Sequence, residues 1–286
     1  MERERTLVAG TAREWKPNRM PSPGWRLARL LIASSKDHAF LDRGWLPWMM
    51  KCSPRRLRKG LALRLLSLSP HYWMHQWLDY YPLELSRRQV LQKEYERNLL
   101  SRRELCDKLL RRYLRPHMTA LDFGCGPGFL AKAVSGHVKH VLAVDVSRGV
   151  LACAGALNGA DNIRYLVNAA NDLAAVADAS VDLVYSFAVI QHLRKEQTAA
   201  FFREFARVLR PGGQGVIHFI LGQSAVHEHE GWEVGRVEVR MASFSETEIT
   251  GLLRQAGFRD VRVVPVASLC AIDDNIGAEH LVQFRR

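Results

Sequence analysis

The sequence predicts an α/β fold: a mostly parallel, doubly wound sheet with helices on both faces, preceded by a helical N-terminal extension. Three observations predict it. A short apolar run ends in three glycines at alternate positions, Gly124, Gly126 and Gly128. A second apolar run ends in an acid, Asp145, 23 residues after Asp122. Strand-length apolar runs then alternate with helix-length segments as far as the C-terminus.

Thr119 to Phe123 is β-prone, short and followed at once by a turn, as a buried parallel strand is. The glycines after it let the backbone bend and approach a ligand where a Cβ would collide. Residues 128–135 have helical spacing, and Val141 to Asp145 is a second parallel strand. An acid at its tip can accept both ribose hydroxyls of an adenosine lying across the strand ends. Ile163 to Val167 reads as the third strand and Val181 to Phe187 as the fourth. Ala199 to Leu209 is helical and is stopped by a turn at Arg210-Pro211-Gly212-Gly213. Gly215 to Leu221 is the fifth strand. Ser245-Glu246-Thr247-Glu248 is a capping box that opens a helix ending at Gly257. Phe258 to Val266 and Ala278 to Phe284 bring the count to seven strands.

The Gly-x-Gly-x-Gly spacing is one residue tighter than the dinucleotide fingerprint. Asp122, just ahead of it, is awkward beside a pyrophosphate and suits a cationic amino group. Asp122, the three glycines and Asp145 together resemble the first two signature segments of class I S-adenosylmethionine-dependent methyltransferases. Asn171-Asp172-Leu173 and the segment Ser186 to Leu193 resemble the family's later segments. The resemblance covers roughly residues 90–286.

It implies a seven-stranded sheet whose last two strands are antiparallel at one edge, and S-adenosylmethionine as cofactor. Gly124, Cys125, Gly126 and Gly128 would surround the methionine part, and Asp122 would attract its ammonium. Cys125 is otherwise a small packing residue. Asp145 would hold the ribose, with Val146 beside it. Asn171, Asp172 and Leu173 would lie by the adenine, and Ser186 and Phe187 by the methyl-transfer site. Tyr95 and Arg97 are candidates for the cofactor's carboxylate, with a surface role the preferred reading.

The loop after the fourth strand excludes several relatives. It lacks the Pro-Pro motif of amino-methylating DNA enzymes, and no cysteine lies between Cys153 and Cys270 to serve a cytosine-C5 enzyme. The paired glutamates of protein arginine methyltransferases are missing too. The predicted reaction is methyl transfer to an oxygen or nitrogen of a small, hydrophobic or lipid-like molecule. A neutral hydroxyl would need a general base, and His192 is the candidate; a carboxylate would need none. His218, alternating with apolar neighbours, reads as buried structure. His227-Glu228-His229-Glu230 reads as a solvated, acidic lid loop rather than a metal site. Three rival functions stay open: an RNA-directed methyltransferase, a silent cofactor-binding scaffold and a nicotinamide-dependent oxidoreductase.

The chain of 286 residues suits one such domain, expected over 91–286, plus an extension over 1–90. Five cysteines without paired spacing suit a reducing, cytoplasmic setting. The net charge of +12 is uneven: residues 1–115 hold 25 basic and 11 acidic residues, and the remainder 16 and 18. Six of the seven tryptophans also lie in the first part. Three readings follow. One is peripheral contact with anionic membrane through residues 51–81, where Leu57, Leu61, Leu65 and Leu68 form a stripe interrupted by Arg64. Another is nucleic-acid binding, which the missing base-modifying motifs weaken. The third is a helical cap packed over the active site. No apolar stretch is long enough to span a bilayer, and the N-terminus is not expected to be a secretory signal.

Overall fold

The computed structural model describes residues 39–42, 45–67, 81–82, 84–168, 172–222, 225–230, 238–269 and 279–286. Three helices open the described chain: α1 (Ala39–Asp42), α2 (Trp45–Cys52) and α3 (Arg55–Leu66). A longer one, α4 (Arg87–Leu105), begins at a capping box in which Ser86 and Gln89 satisfy each other's backbone N–H groups. It continues through a π turn, Cys106–Leu110, and a 3-10 turn, Arg111–Tyr113.

From there strands and helices alternate: β1 (Thr119–Phe123), α5 (Phe129–Ser135), β2 (His140–Asp145), α6 (Arg148–Asn158), β3 (Ile163–Val167), β4 (Val181–Ser186), α7 (Lys195–Val208) and β5 (Leu209–Phe219). A hairpin, β6 (Ala225–Glu230) and β7 (Glu238–Ser243), precedes α8 (Glu246–Gln255), β8 (Arg259–Pro265) and β9 (His280–Arg285). The main sheet has seven strands in the order β3-β2-β1-β4-β5-β9-β8. The first five run parallel, and β9 lies antiparallel between β5 and β8. The expected strand count and edge arrangement are both found.

Alternation along β1 sorts its side chains between two cores. Leu121 and Phe123 join Phe201, Phe205 and Leu253 beneath α7 and α8, while Ala120 faces α5 and the end of α4. A third cluster joins α1, α2, α3 and α4 to α6 through Leu41, Met50, Leu66, Val90 and Val150. The boundary expected at residue 90 therefore falls inside α4, and the described extension shares a core with α6. Its apolar stripe also differs from expectation. α3 buries Ala62, Leu63, Leu65 and Leu66 and leaves Leu57 and Arg64 exposed. The buried face is rotated from the Leu57 to Leu65 line, so Arg64 stays in water. Leu68 lies outside the described residues, as do Trp15, Trp25, Trp73 and Trp77.

Three more sequence expectations are corrected. Arg210 to Gly213 does not end in a free turn: it is a bulge within β5, with Gly212 at φ +81°, because Leu209 already pairs with Val181 before Gln214 pairs with Leu183. Ser245 caps α8 by accepting the Glu248 N–H, but Glu248 turns its carboxylate to Lys195 on α7 at 2.6 Å, so the reciprocal half of the box gives way to an ion pair. The expected lid loop is an antiparallel hairpin, since His227 to Glu230 lie on β6 in register with Glu238 to Met241.

Candidate active site

The glycine loop is fastened to the end of β2 by backbone bonds. The N–H groups of Gly124 and Cys125 both donate to the Val144 carbonyl at 2.9 Å. Gly126 N–H donates to Asp145 Oδ2 at 2.9 Å, and Ser147 N–H to Asp145 Oδ1 at 3.0 Å. One carboxylate thus spans the loop and the start of α6. Gly124 and Gly128 have φ of +75° and +78°, where side chains are strained. Space excludes them as well. A Cβ at Gly124 would lie 2.3 Å from Val189 Cγ2, and one at Gly128 2.4 Å from the Tyr165 hydroxyl.

Asp122 lies beneath this loop with its side chain buried and Oδ2 unpartnered. Burial, and after it the charge of Asp145, pushes its carboxyl up to about 8. The Tyr185 hydroxyl and the Arg102 guanidinium pull the other way. The Tyr185 hydroxyl nonetheless completes no hydrogen bond. An apolar niche that holds a carboxyl with a bare oxygen is poised for a cation.

Strand register adds a third member to this face. Asp122 pairs with Tyr185, and Tyr185 with Val216, so His218, two residues on, projects to the same side. Its Nδ1 accepts the Ala188 N–H at 3.2 Å, Phe187 stacks on its ring at 6.1 Å, and Nε2 has no partner. The expectation that His218 is buried holds. Burial, helped by Arg102 and His280, lowers its pKa to about 4, so it is neutral at physiological pH.

The remaining predicted residues are placed as follows. Val146 is exposed beside Asp145. Ser186 is buried and donates its hydroxyl to the Phe123 carbonyl at 2.8 Å. Cys125 packs in the core, its thiol pushed well up by burial. Leu173 is a core residue whose N–H donates to Glu204 Oε2 at 2.7 Å, and Asp172 is exposed, accepting the Ala174 N–H. Asn171 lies outside the described residues. His192 is exposed on the 3-10 turn Ile190–His192.

The surface role expected for Tyr95 and Arg97 fails for Tyr95, while Arg97 is partly exposed and paired. Tyr95 is buried, donating to the Leu157 carbonyl at 3.0 Å. Arg97 holds both oxygens of Glu94, which is fully buried and also accepts from Tyr81 and Asn98. Arg102, one and a half turns further along α4, is the cation that acts on Asp122 and His218. Sequence reasoning missed Arg102, Tyr185 and the polar role of His218. Alternation sorts side chains within each strand, but only the register between strands brings Tyr185 and His218 to the face of Asp122.

Comparison with known proteins agrees with this geometry. Residues 121–217 match a family model described as a methyltransferase domain. The "Probable S-adenosylmethionine-dependent methyltransferase" of Mycolicibacterium smegmatis is 28% identical over 162 residues, covering 56% of this chain and 54% of that protein. A malonyl-(acyl-carrier protein) O-methyltransferase of Enterobacter lignolyticus is 28% identical over 197 residues, covering 66% of this chain and 76% of that protein. The chain spans about half the length of the mycobacterial relatives it matches. The solved S-adenosylmethionine dependent methyltransferase from Mesorhizobium loti shares the fold, with TM-score 0.50 and 21% identity over 66% of this chain and 100% of that one.

Proposed function

The chain belongs to the class I S-adenosylmethionine-dependent methyltransferase family, and from that premise we propose that it transfers a methyl group from S-adenosylmethionine to an oxygen or nitrogen of a small, hydrophobic or lipid-like acceptor. The observation that carries this reading is the buried Asp122 carboxyl with its bare Oδ2 beneath a glycine loop. An ammonium there would favour the ionised carboxylate, whereas a pyrophosphate would raise its pKa further.

In this proposal Asp122 holds the ammonium and Arg102 the carboxylate of the methionine part, with Gly124, Gly126 and Gly128 admitting it. Asp145, which accepts two backbone N–H groups, would hold the ribose hydroxyls. Val146 offers an apolar edge to the adenine, with Asn171 and Asp172 beside it. The bound cofactor supplies an already activated methyl group on a sulfonium. The protein's own contribution is alignment of the acceptor, which is worth about 7–11 kcal/mol of a barrier. A neutral hydroxyl acceptor would lose its proton to His192. Isothermal titration tests the donor: S-adenosylhomocysteine is expected to bind, and NADH to give no heat under the same conditions. The reverse would make the chain an oxidoreductase.

A second surface supports peripheral contact with anionic lipid. Residues 45–67 hold six basic residues and no acid. Trp48 and Leu57 are 66% and 56% exposed, with exposed Lys51, Arg55, Arg56 and Arg64 on the same two helices. No described helix is long and apolar enough to cross a membrane, so contact would be at the surface. Full-length protein is expected to sediment with phosphatidylglycerol vesicles at low salt and not with phosphatidylcholine. The Arg55→Glu, Arg56→Glu double variant should stay in the supernatant. Equal sedimentation of variant and wild type would remove the membrane from the proposal, and preferential binding of RNA would favour the nucleic-acid reading.

A further inference from the structure

We propose that His218 is a hydrogen-bond donor to the methyl acceptor, and that the acceptor atom is the oxygen of an ionised carboxylate. The inference rests on the methyl-transfer reading above and narrows it to one class of substrate.

Three buried polar side chains occupy adjacent strands on one face of the sheet. Asp122, Tyr185 and His218 are each no more than 2% exposed, and each has an unpartnered polar atom, Oδ2, the hydroxyl and Nε2. One orphan is a local accident; three on one face of the sheet point to partners that the protein itself does not supply. Asp122, beneath the glycine loop, belongs to the cofactor end of the row. His218 stands at the other end, on β5, beside the loop that follows β4.

The tautomer of His218 decides what it can do. Nδ1 accepts the Ala188 N–H at 3.2 Å and so carries the lone pair, which puts the proton on Nε2. The tether is firm on the other side as well, because Ala188 sits at φ +58° with Phe187 stacked against the imidazole. The free nitrogen is therefore a donor. It cannot accept a proton without releasing the loop.

Nothing else in the row can serve as a base. The Tyr185 hydroxyl stays protonated, its pKa pushed well up by burial and by Asp122, and Asp122 answers the cofactor's ammonium. Arg102 adds positive charge toward both Asp122 and His218, and His280 approaches from β9. Donors and a cation in a row that holds no base, with His192 exposed outside it, fit an oxygen that arrives already anionic. A carboxylate meets that condition at neutral pH, whereas a phenol or an ammonium does not. Ester formation needs no proton transfer: the oxygen lone pair forms the new O–C bond, the C–S bond breaks, and its electron pair remains on sulfur.

Matched probes test the assignment. In protein saturated with S-adenosylhomocysteine, octanoate or benzoate is expected to bind at least tenfold tighter than octanol, octylamine, phenol or aniline by titration. Binding should shift the His218 Nε2 resonance in a long-range nitrogen spectrum without changing its tautomer. Two variants separate donor from tether. His218→Asn keeps an acceptor for the Ala188 N–H but loses the Nε2 donor, so carboxylate affinity should fall at least tenfold. His218→Gln can place a donor near Nε2 and should restore most of it. Affinity for S-adenosylhomocysteine should change less than twofold in both. A tether-only role reverses the order, with Asn tolerated and Gln not, and overturns the proposal. So does equal binding of alcohols or amines, or no carboxylate binding by wild type that still binds S-adenosylhomocysteine. Loss of S-adenosylhomocysteine binding by wild type would instead overturn the methyl-donor reading itself.

Discussion

Asp145→Ala is expected to weaken S-adenosylhomocysteine binding at least tenfold, about 1.4 kcal/mol, in an isothermal titration. The carboxylate does two things in the structure. It offers charged acceptors where the ribose hydroxyls would lie, and it accepts the N–H groups of Gly126 and Ser147. Alanine removes the acceptors and also frees Gly126 from its side-chain anchor, leaving the loop held to β2 only by the Gly124 and Cys125 bonds to the Val144 carbonyl. The substitution thus combines a lost charged hydrogen bond, worth roughly 1.5–3 kcal/mol, with a loss of preorganisation. Asp145→Asn keeps one carbonyl acceptor and should lie between the two. Thermal melting of each variant separates lost affinity from lost fold. Wild-type affinity in a folded Asp145→Ala protein would end the assignment of this residue.

Gly149→Ala is expected to destabilise the protein by about 2–4 kcal/mol, judged from the loss of one buried leucine and a helix-terminal hydrogen bond. Gly149 opens α6 directly under α1. A Cβ there would lie 1.7 Å from the Leu41 carbonyl oxygen, and backbone cannot step aside as a side chain can. α1 would have to lift away. Leu41, 1% exposed, would leave its cluster, and Asp42 would lose the Ser147 hydroxyl at 2.8 Å and the Gly149 N–H at 3.0 Å. Ser147 also donates its N–H to Asp145, so cofactor affinity should fall together with stability. Gly155→Ala is the control, because a Cβ at that position on the same helix meets nothing within 4 Å. It should be neutral or stabilising by about 0.5–1 kcal/mol. A Gly149→Ala protein that unfolds in urea like the Gly155→Ala protein would refute the clash.

Much of the site could be read from the chain because its chemistry is local. The loop glycines, Asp122 and Asp145 all lie within 24 consecutive residues, and the turn, the helix start and the two strands follow from spacing alone. The expectations that failed depend on distant partners. Glu248 was assigned to its own helix end, but Lys195 on α7 is the stronger electrostatic partner. Arg210 to Gly213 has every mark of a terminating turn, yet pairing of Leu209 with Val181 keeps it within a strand. Alternating charge on β6 hid a strand whose partner lies eight residues further on.

Arg97 and Arg102 show the same limit within one helix. Both are arginines on α4, and nothing in their neighbours ranks them. Glu94, fully buried, takes Arg97, while the charge of Arg102 acts on Asp122 and His218.

By itself the sequence determined the order of strands and helices, the glycine loop and the acids on either side of it, because backbone conformation and hydrophobic period act over a few residues. Only the tertiary structure decided which polar groups face one another. Register between β1, β4 and β5 aligned Asp122, Tyr185 and His218, and the Ala188 N–H chose the histidine's tautomer. Those contacts join residues far apart in the chain, where burial and electrostatics outweigh local preference.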